Sequence, residues 1–140
     1  MQIREITLRE LFNVYELLKP LYNDLKYDQF EDLIYDMREL PYVMLGVFEG
    51  EDLLAYAGVS IRTDLVFFRH LEVFECSVAS VEHKTHFAQA LIEYIIDYAK
   101  MGACRSVVLR YERYVPLCKE MLLEKGFIFE QHAKSLVYTL

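Results

Sequence analysis

The sequence predicts a single α/β domain in which a mixed, mostly antiparallel sheet is flanked by helices. The chain has 140 residues and 54% of them are hydrophobic, which is enough for one continuous core. Apolar residues recur at spacings of three and four in some segments and form short β-prone runs in others. These segments follow the order β-α-α-β-β-β-α-β-α-β-β without a linker or an internal repeat. Residues 1–140 are therefore expected to form one domain.

A short strand and two helices are predicted first. The strand is the weakly alternating run over residues 3–6. Thr7 and Glu10 have the T-x-x-E spacing of a capping box before the first apolar stripe. Asp28 and Glu31 repeat this spacing before the second stripe. A proline lies near the end of each stripe and bends or ends each helix.

The pattern then changes to the period of β-strands. Tyr42 to Glu49 is an apolar run, and the turn Gly50-Glu51-Asp52 connects it to a hairpin partner over Leu53 to Arg62. Thr63-Asp64 is predicted to be the next turn. Leu65 to Val78 is long enough for one bent strand or two short ones. Its imperfect alternation of apolar and polar residues indicates a bulge.

The second half of the chain predicts two more helices and the rest of the sheet. Helical periodicity covers His86 to Lys100, and Gly102 occupies the place of a left-handed residue after the helix. A short helix is predicted over Pro116 to Glu124, since proline suits the first helical turn. Three strands complete the sheet, over residues 105–111, 127–131 and 135–138. The last two are expected to form an antiparallel pair.

Charge and cysteine content limit the function classes. The formal net charge of −7 argues against non-specific binding to nucleic acid or to an anionic membrane, because both need a cationic surface. Cys76, Cys104 and Cys118 have no C-x-x-C spacing and cannot all pair within one chain, which favours a reducing compartment. The first ten residues carry charges where a signal peptide is apolar, and the longest apolar runs are too short to span a bilayer. We therefore expect a cytoplasmic protein.

Two local sequences resemble a known family. They are HFAQALIEYIIDYAKMGACRSVVL at 86–109 and LLEKGF at 122–127. With the order of elements, they resemble the GNAT superfamily of acyl-CoA-dependent N-acyltransferases. The resemblance implies acetyl-CoA as co-substrate, a small-molecule or peptide amine as acceptor, direct acyl transfer and no metal. It also implies that the bent strand around Cys76 and Val78 binds the pantetheine arm.

The segment that the family uses for the diphosphate departs from the family signature. That signature is Arg/Gln-x-x-Gly-x-Gly/Ala, and this chain reads His83-Lys84-Thr85-His86-Phe87-Ala88. Lys84 and His86 stand where glycines are usual, so a Cβ could crowd the diphosphate. Conversely, Lys84 and a protonated His83 or His86 would add charge-assisted contacts. Two interpretations stay open: weakened but retained CoA-type binding, or a loop that has lost phosphate binding.

The resemblance also suggests catalytic residues. The family's acid is commonly a tyrosine, but Leu122 stands in that place and cannot donate a proton. Tyr114 is the candidate substitute, with Tyr111 as an alternative. Family bases commonly lie on the bent strand, which makes Glu75 the candidate general base and Glu72 its alternative. A packing role for the tyrosines and an ordinary strand position for the carboxylates are the structural alternatives.

The first two helices commonly border the acceptor site in this family. Their aromatic residues are Tyr22, Tyr27, Phe30 and Tyr35, with Tyr42 following. Their acidic residues are Asp24, Asp28, Glu31, Asp32 and Asp36. Most of the aromatic side chains are expected to pack in the core and the acidic ones to form a solvated helix face. Lining of the acceptor site and attraction of a cationic amine are the functional alternatives.

Other interpretations are weaker. His83-x-x-His86 lacks further ligands at a recognisable spacing, so no metal site is predicted. Cys76 could form a nucleophile with His83 or His86, but no nucleophile motif surrounds it. The alternative function is a GNAT-like domain without transfer activity that acts in ligand sensing or protein association. A homodimer through the strand edges near residues 127–140 is a third hypothesis.

Overall fold

The computed structural model describes residues 1–79, 82, 84–110, 119–130 and 135–140. Helices and strands follow the predicted order. The helices are α1 (Leu11–Leu18), α2 (Tyr27–Glu39), α3 (Lys84–Met101) and α4 (Lys119–Glu124), and a 3-10 turn over Leu8–Glu10 precedes α1. The strands are β1 (Gln2–Glu5), β2 (Tyr42–Glu49), β3 (Asp52–Asp64), β4 (Phe68–Val78), β5 (Ser106–Arg110), β6 (Ile128–Glu130) and β7 (Ser135–Thr139).

All seven strands form one sheet, in the order β1-β2-β3-β4-β5-β7-β6. Every neighbouring pair is antiparallel except β4 and β5, which run parallel. This confirms the predicted mixed, mostly antiparallel sheet. It also places the parallel pair near the middle of the sheet, with the chain between them crossing through α3.

Helices cover both faces of the sheet. On one face α3 and α4 contribute to a core with Ala55, Ala57, Leu71, Val73 and Leu109. On the other face α1 and α2 pack against Met44, Phe48 and Tyr56. Tyr56 points to the α1–α2 face while its neighbours Ala55 and Ala57 point to the α3 face, as the strand period of two requires.

The predicted bulge lies in β4, which is one strand and not two. Gly58 on β3 is opposite Glu75, whereas the next residue, Val59, is opposite Val73. Phe74 is therefore an extra residue on β4, inserted between two paired positions. A one-residue insertion of this kind shifts every later side chain of the strand to the opposite face.

In the described residues, the pairing of β4 with β5 lies on the amino-terminal side of the bulge. Pairing of the two parallel strands runs from His70 opposite Ser106 to Val73 opposite Leu109. Beyond that point β4 stays paired with β3 as far as Val78. Among the described residues, β4 therefore pairs with β5 only before the bulge, and residues 75–78 pair with β3.

The start of α2 differs from the prediction. The helix begins at Tyr27, and the backbone N–H of Lys26 donates to Oε1 of Gln29 at 3.1 Å. Asp28 and Glu31 lie inside the helix, so the predicted capping pair is wrong. Gln29 has the same spacing from Lys26 and an amide oxygen that reaches back as well as a carboxylate does.

The turn between β3 and β4 also differs. β3 continues to Asp64, so the turn predicted at Thr63-Asp64 is wrong and the chain turns at residues 65–67. Oδ1 of Asp64 accepts the backbone N–H groups of Val66 and Phe67 at 2.9 and 2.7 Å. Asp64 therefore stabilises the turn from the end of the strand, in the manner of an Asx turn.

The end of α3 uses a different residue from the one predicted. Ala103, with φ of 56°, takes the left-handed conformation, and the N–H of Cys104 closes the helix on the carbonyl of Ala99 at 3.0 Å. Gly102 precedes Ala103 and lies close to a flexible side chain of β3. A Cβ at Gly102 would lie 2.7 Å from Cδ1 of Ile61.

The first predicted cap is confirmed and generates a testable pH dependence. Oε1 of Glu10 accepts the N–H of Thr7 at 3.0 Å, and Arg4 donates to both carboxylate oxygens at 2.9 and 2.7 Å. The Arg4 hydrogen bonds lower the pKa of Glu10 to about 2. A depressed pKa means that the contribution to stability is present above the ordinary value of 4.5 and is lost as the pH falls towards 2.

We expect Glu10→Gln to lower the free energy of unfolding by about 1–2 kcal/mol at pH 7, allowing for partial solvent screening. The loss should shrink between pH 4.5 and pH 2, because the carboxylate takes up a proton in the unfolded chain there while it stays ionised in the folded one. Urea unfolding at several pH values measures this. Glu16→Gln, on the exposed side of α1, is the control. A pH-independent loss would contradict the assignment.

Candidate active site

Glu75 is a buried carboxylate held by two tyrosines. Its side chain is on the α1–α2 face of β4, and the residue is 8% exposed. Oε1 accepts the hydroxyl of Tyr56 at 2.7 Å and the hydroxyl of Tyr42, and the two phenols also contact each other. Burial raises the pKa of Tyr56 well above 10, so this phenol stays a hydrogen-bond donor at neutral pH.

The bulge decides which way Glu75 points. Before it, His70 and Glu72 share a hydrogen bond on one face of β4 while Leu71 and Val73 face the α3 core. After it, Ser77 donates to a carbonyl of α1 while Cys76 and Val78 pack in the α3 core. An unbroken alternation would send Glu75 into the α3 core. The extra residue Phe74 brings it to the α1–α2 face instead.

Gly58 makes room for this carboxylate. It lies opposite Glu75 on the neighbouring strand. A Cβ at Gly58 would collide with the hydroxyl of Tyr42 and with Oε1 of Glu75. The glycine is therefore required by the close approach of the two side chains, and any larger residue would displace the carboxylate.

Glu75 lines a cavity of about 260 Å³ between the helices α1 and α2 and the bulge. Its walls are mainly apolar, with Leu18, Leu25, Phe30, Leu33, Ile34, Met37 and Phe74. Tyr22, Glu75 and Arg110 supply its polar groups. The cavity therefore presents one carboxylate, from β4, and one guanidinium, from the end of β5.

A second buried carboxylate fixes Arg110. Oε2 of Glu72 accepts Nε and Nη2 of Arg110, both at 2.7 Å. Oε1 of Glu72 lies 3.0 Å from Nε2 of the fully buried His70, whose Nδ1 lies 3.0 Å from the carbonyl oxygen of Phe68. Glu72, the alternative candidate base, thus has both oxygens engaged. Its role is to tie β4 to β5 and to orient Arg110.

The predicted diphosphate segment forms the start of α3. Lys84, Thr85 and His86 are exposed in its first turn, which contains no acidic residue. Phe87 and Ala88 are buried in the core, so only their backbone N–H groups could face a ligand. The first N–H groups of a helix have no partner within the helix and carry partial positive charge. His83, the remaining predicted residue of this segment, lies outside the described residues.

The side chains of Cys76 and Val78 pack into the α3 core, so a ligand could meet only their backbone. Burial, together with the charge of Glu75, raises the pKa of the Cys76 thiol to about 12. The thiol is therefore protonated at neutral pH, and His86 is exposed at the helix surface. These observations oppose the hypothesis of a Cys76 nucleophile.

The other predicted site residues have different outcomes. Leu122 is fully buried in the α3 core, where it serves packing. Tyr114 and Tyr111 lie outside the described residues.

Among the described residues, no group of three or more His, Cys, Asp or Glu side chains is placed to hold a metal ion. No helix in the described ranges is long and apolar enough to cross a membrane.

Of the early aromatic residues, Tyr22 and Phe30 line the cavity and Tyr42 binds Glu75. Tyr27 packs against neighbouring rings and Tyr35 is exposed. Sequence reasoning missed the roles of Tyr56, Gly58 and Arg110. No local signal marks them, because their partners are 14 to 38 residues away along the chain.

Comparison with known proteins points to one family. A sequence profile described as the Acetyltransferase (GNAT) family matches residues 6–115. No curated protein sequence matches significantly. The solved structures that are similar to this chain have low sequence identity to it. Their similarity therefore shows the fold alone.

Three of these structures cover almost the whole chain. An aminoglycoside 6'-acetyltransferase type Ii has a TM-score of 0.75 at 13% identity, over 99% of this chain and 97% of its own. A ribosomal-protein-alanine N-acetyltransferase from Brucella melitensis has a TM-score of 0.73 at 11% identity, over 100% of both chains. An acetyltransferase from Trypanosoma brucei has a TM-score of 0.72 at 15% identity, over 93% of this chain and 94% of its own.

We expect Gly58→Ala to destabilise the protein by about 2–4 kcal/mol, because the new methyl group meets a buried, hydrogen-bonded carboxylate. Gly102→Ala is the matched control, since its Cβ meets only the flexible tip of Ile61. Its cost should stay below about 1 kcal/mol. Urea unfolding of both variants makes the comparison. Equal losses would contradict the tight packing described around Glu75.

Proposed function

The chain belongs to the GNAT acetyltransferase family, and on that premise we propose that it transfers an acetyl group from acetyl-CoA to an amine, with Glu75 as general base. The observation that carries the proposal is the Glu75 carboxylate, which the bulge aims into a cavity that Arg110, at the end of β5, also lines. Carboxylates that take the proton of an attacking amine need this combination of burial, fixed orientation and access to a cavity.

The start of α3 suits the diphosphate of acetyl-CoA. Its free N–H groups and the exposed Lys84 supply positive charge, with no acidic side chain in the first turn to oppose it. The described residues at this helix start have no positive φ, so glycine's conformational freedom is not required there. The exposed side chains of Lys84 and His86 extend into solvent and do not fill the core. The residues present therefore fit an anionic group.

In the proposed reaction, Glu75 accepts the proton that the amine loses. The lone pair of the neutral amine forms the new C–N bond at the thioester carbonyl carbon, and the C–S bond breaks with its electron pair going to sulfur. Glu75 takes the proton that the nitrogen loses, directly or through one water. Tyr42 and Tyr56 hold the carboxylate in position for this transfer. We assign the protonation of the leaving thiolate to Tyr114.

The amine acceptor and the cellular location belong to the same proposal. The acidic surface and the buried carboxylate favour a cationic small molecule or peptide over nucleic acid. We propose a cytoplasmic location, consistent with Cys76 and Cys104 being free thiols.

The homodimer stays a prediction, for which the exposed Ile128 on the edge strand β6 is the relevant feature. Light scattering that shows a monomer at working concentration would contradict it.

We expect Glu75→Gln to lower kcat by 10²–10⁴-fold, because the amide cannot accept the proton. The KM for acetyl-CoA should be unchanged, since Glu75 lines the cavity beside α1 and α2 and is not at the start of α3. Release of CoA thiol from acetyl-CoA in the presence of an amine measures the rate. Glu16→Gln is the control. An active Glu75→Gln variant would remove Glu75 from the role of base.

We expect Lys84→Glu to weaken acetyl-CoA binding by about 10–100-fold, through loss of one charge-assisted contact and added repulsion. Lys100→Glu makes the same charge change at the opposite end of α3 and should leave the affinity unchanged. Calorimetric titration measures both. If wild-type protein binds no acetyl-CoA at millimolar concentration, the alternative holds: a GNAT-like domain without transfer activity that acts in ligand sensing or protein association.

A further inference from the structure

We infer that the tip of the β3–β4 hairpin, residues 65–68, inserts into the surface of a membrane that contains anionic phospholipids. The tip lies at the end of the sheet away from the candidate active site. Glu75 is seven residues along β4 from Phe68, which is roughly 20 Å at about 3.3 Å per residue. Contact at the tip therefore leaves the Glu75 cavity open, and the membrane role is separate from the proposed acetyl transfer.

The hairpin tip presents consecutive apolar side chains to solvent. Leu65 is 95% exposed, Val66 67% and Phe68 52%. Single exposed apolar residues are ordinary on a protein surface, whereas several side by side mark a place of contact. The tip therefore has the composition of a surface that is covered when the protein is at work.

The backbone holds Phe68 at the tip in a strained conformation. Its φ of 59° is left-handed, a region that bulky residues rarely adopt. Glycine would relieve this strain, whereas phenylalanine leaves an aromatic side chain exposed. The guanidinium of Arg105 lies over its ring, 4.8 Å from the centroid. An aromatic ring beside a cation suits the boundary between lipid headgroups and acyl chains, where aromatic side chains are favoured.

Hydrogen bonds within the turn prepare it for an environment with little water. Oδ1 of Asp64 accepts the N–H groups of Val66 and Phe67 at 2.9 and 2.7 Å. Two backbone donors at the tip therefore need no water, which lowers the cost of moving them among lipid headgroups. The same bonds fix the turn, so the exposed Leu65 and Val66 lose little conformational freedom on insertion.

The end of α3 adjoins the base of the hairpin. Nε of Arg69 donates to the carbonyl of Gly102 at 2.9 Å, and the N–H of Arg105 donates to the carbonyl of Arg69 at 2.7 Å. Lys100 and Met101, in the last turn of α3, therefore lie at the same end of the molecule as the tip. Met101 is 90% exposed and adds a further apolar side chain.

Four cations lie near the base of the tip: Arg62, Arg69, Lys100 and Arg105. All four are exposed, and none of them forms an ion pair within the described part of the chain. Cations next to inserted apolar side chains can contact the lipid phosphates and attract anionic headgroups.

The net charge of −7 by itself predicts repulsion from an anionic membrane. At physiological ionic strength, however, exposed charges more than about 8 Å from the contact are largely screened. Between residues 61 and 69 the chain has one carboxylate, Asp64, against Arg62 and Arg69. The charge near the tip, and not the sum over the chain, therefore decides the sign of the attraction.

The small extent of the tip favours a bilayer over a folded protein as its partner. A stable protein interface uses about 20–30 residues from each side. The tip consists of four consecutive residues at the turn between two strands. A membrane surface needs only a few inserted apolar side chains together with cations at the level of the lipid phosphates. An anionic membrane therefore fits both the apolar tip and the cations at its base.

The first experiment is co-sedimentation of the complete chain with lipid vesicles. One set contains about one part phosphatidylserine to two parts phosphatidylcholine, and the other contains phosphatidylcholine alone. We expect binding to the phosphatidylserine vesicles to be at least about tenfold tighter and to weaken as the salt concentration rises. Equal binding to both kinds of vesicle, or binding to neither, would overturn the inference.

Leu65→Ser tests whether the tip is the part that inserts. It is expected to weaken binding to the phosphatidylserine vesicles by at least about tenfold, because the burial of one leucine is lost. Leu123→Ser on α4 is the matched control, since Leu123 is 45% exposed and lies outside the tip. Equal effects of the two variants would overturn the location. Self-association that Leu65→Ser abolishes in light scattering, with no vesicle binding, would assign the tip to a second copy of this chain instead.

Two charge reversals at opposite ends of α3 separate this inference from the proposed function. Lys100→Glu is expected to weaken vesicle binding by about tenfold and to leave the acetyl-CoA affinity unchanged, and Lys84→Glu to do the opposite. Vesicle binding that only Lys100→Glu weakens, without any acetyl-CoA binding, would support the membrane surface and remove the transfer activity. Acetyl-CoA binding without vesicle binding would do the reverse.

Discussion

The single extra residue in β4 is the constraint on which the site depends. Side chains of a strand alternate between faces with a period of two, so inserting Phe74 exchanges the faces of all later residues. Glu75 therefore meets the α1–α2 cavity, and Cys76 enters the α3 core. In the part of the chain that the structure describes, the pairing of β4 with β5 ends at Val73, directly before this irregularity.

Two buried carboxylates on this strand have opposite uses. Glu72 is neutralised by Arg110 and bonded to His70, an arrangement that holds two parallel strands in register. Glu75 accepts hydrogen bonds from the phenols of Tyr42 and Tyr56, which fix its orientation at the cavity. The neighbours of each carboxylate, and not its residue type, thus decide what it contacts.

The start of α3 shows why a missing glycine signature need not remove anion binding. The ability of a helix start to bind phosphate comes from unpaired N–H groups and the helix dipole, which every residue except proline supplies. Glycine adds close approach and access to positive φ. The described residues there have ordinary helical φ, and Lys84 adds a full charge that glycine lacks. In this chain, the missing glycines reduce the steric access of a phosphate group, whereas the charge of Lys84 increases its attraction.

The sequence by itself determined the order of elements, the Thr7–Glu10 cap, the bulge and Glu75 as the candidate base, because periodicity, capping and the resemblance are carried by residues close together in the chain. It misplaced the cap of α2, the turn after β3 and the left-handed residue after α3, where several nearby residues offer equivalent local chemistry. Only the tertiary structure decided that Tyr42, Tyr56 and Gly58 surround Glu75 and that Arg110 pairs with Glu72. Strand register sets those contacts, and register depends on how distant segments align across the sheet.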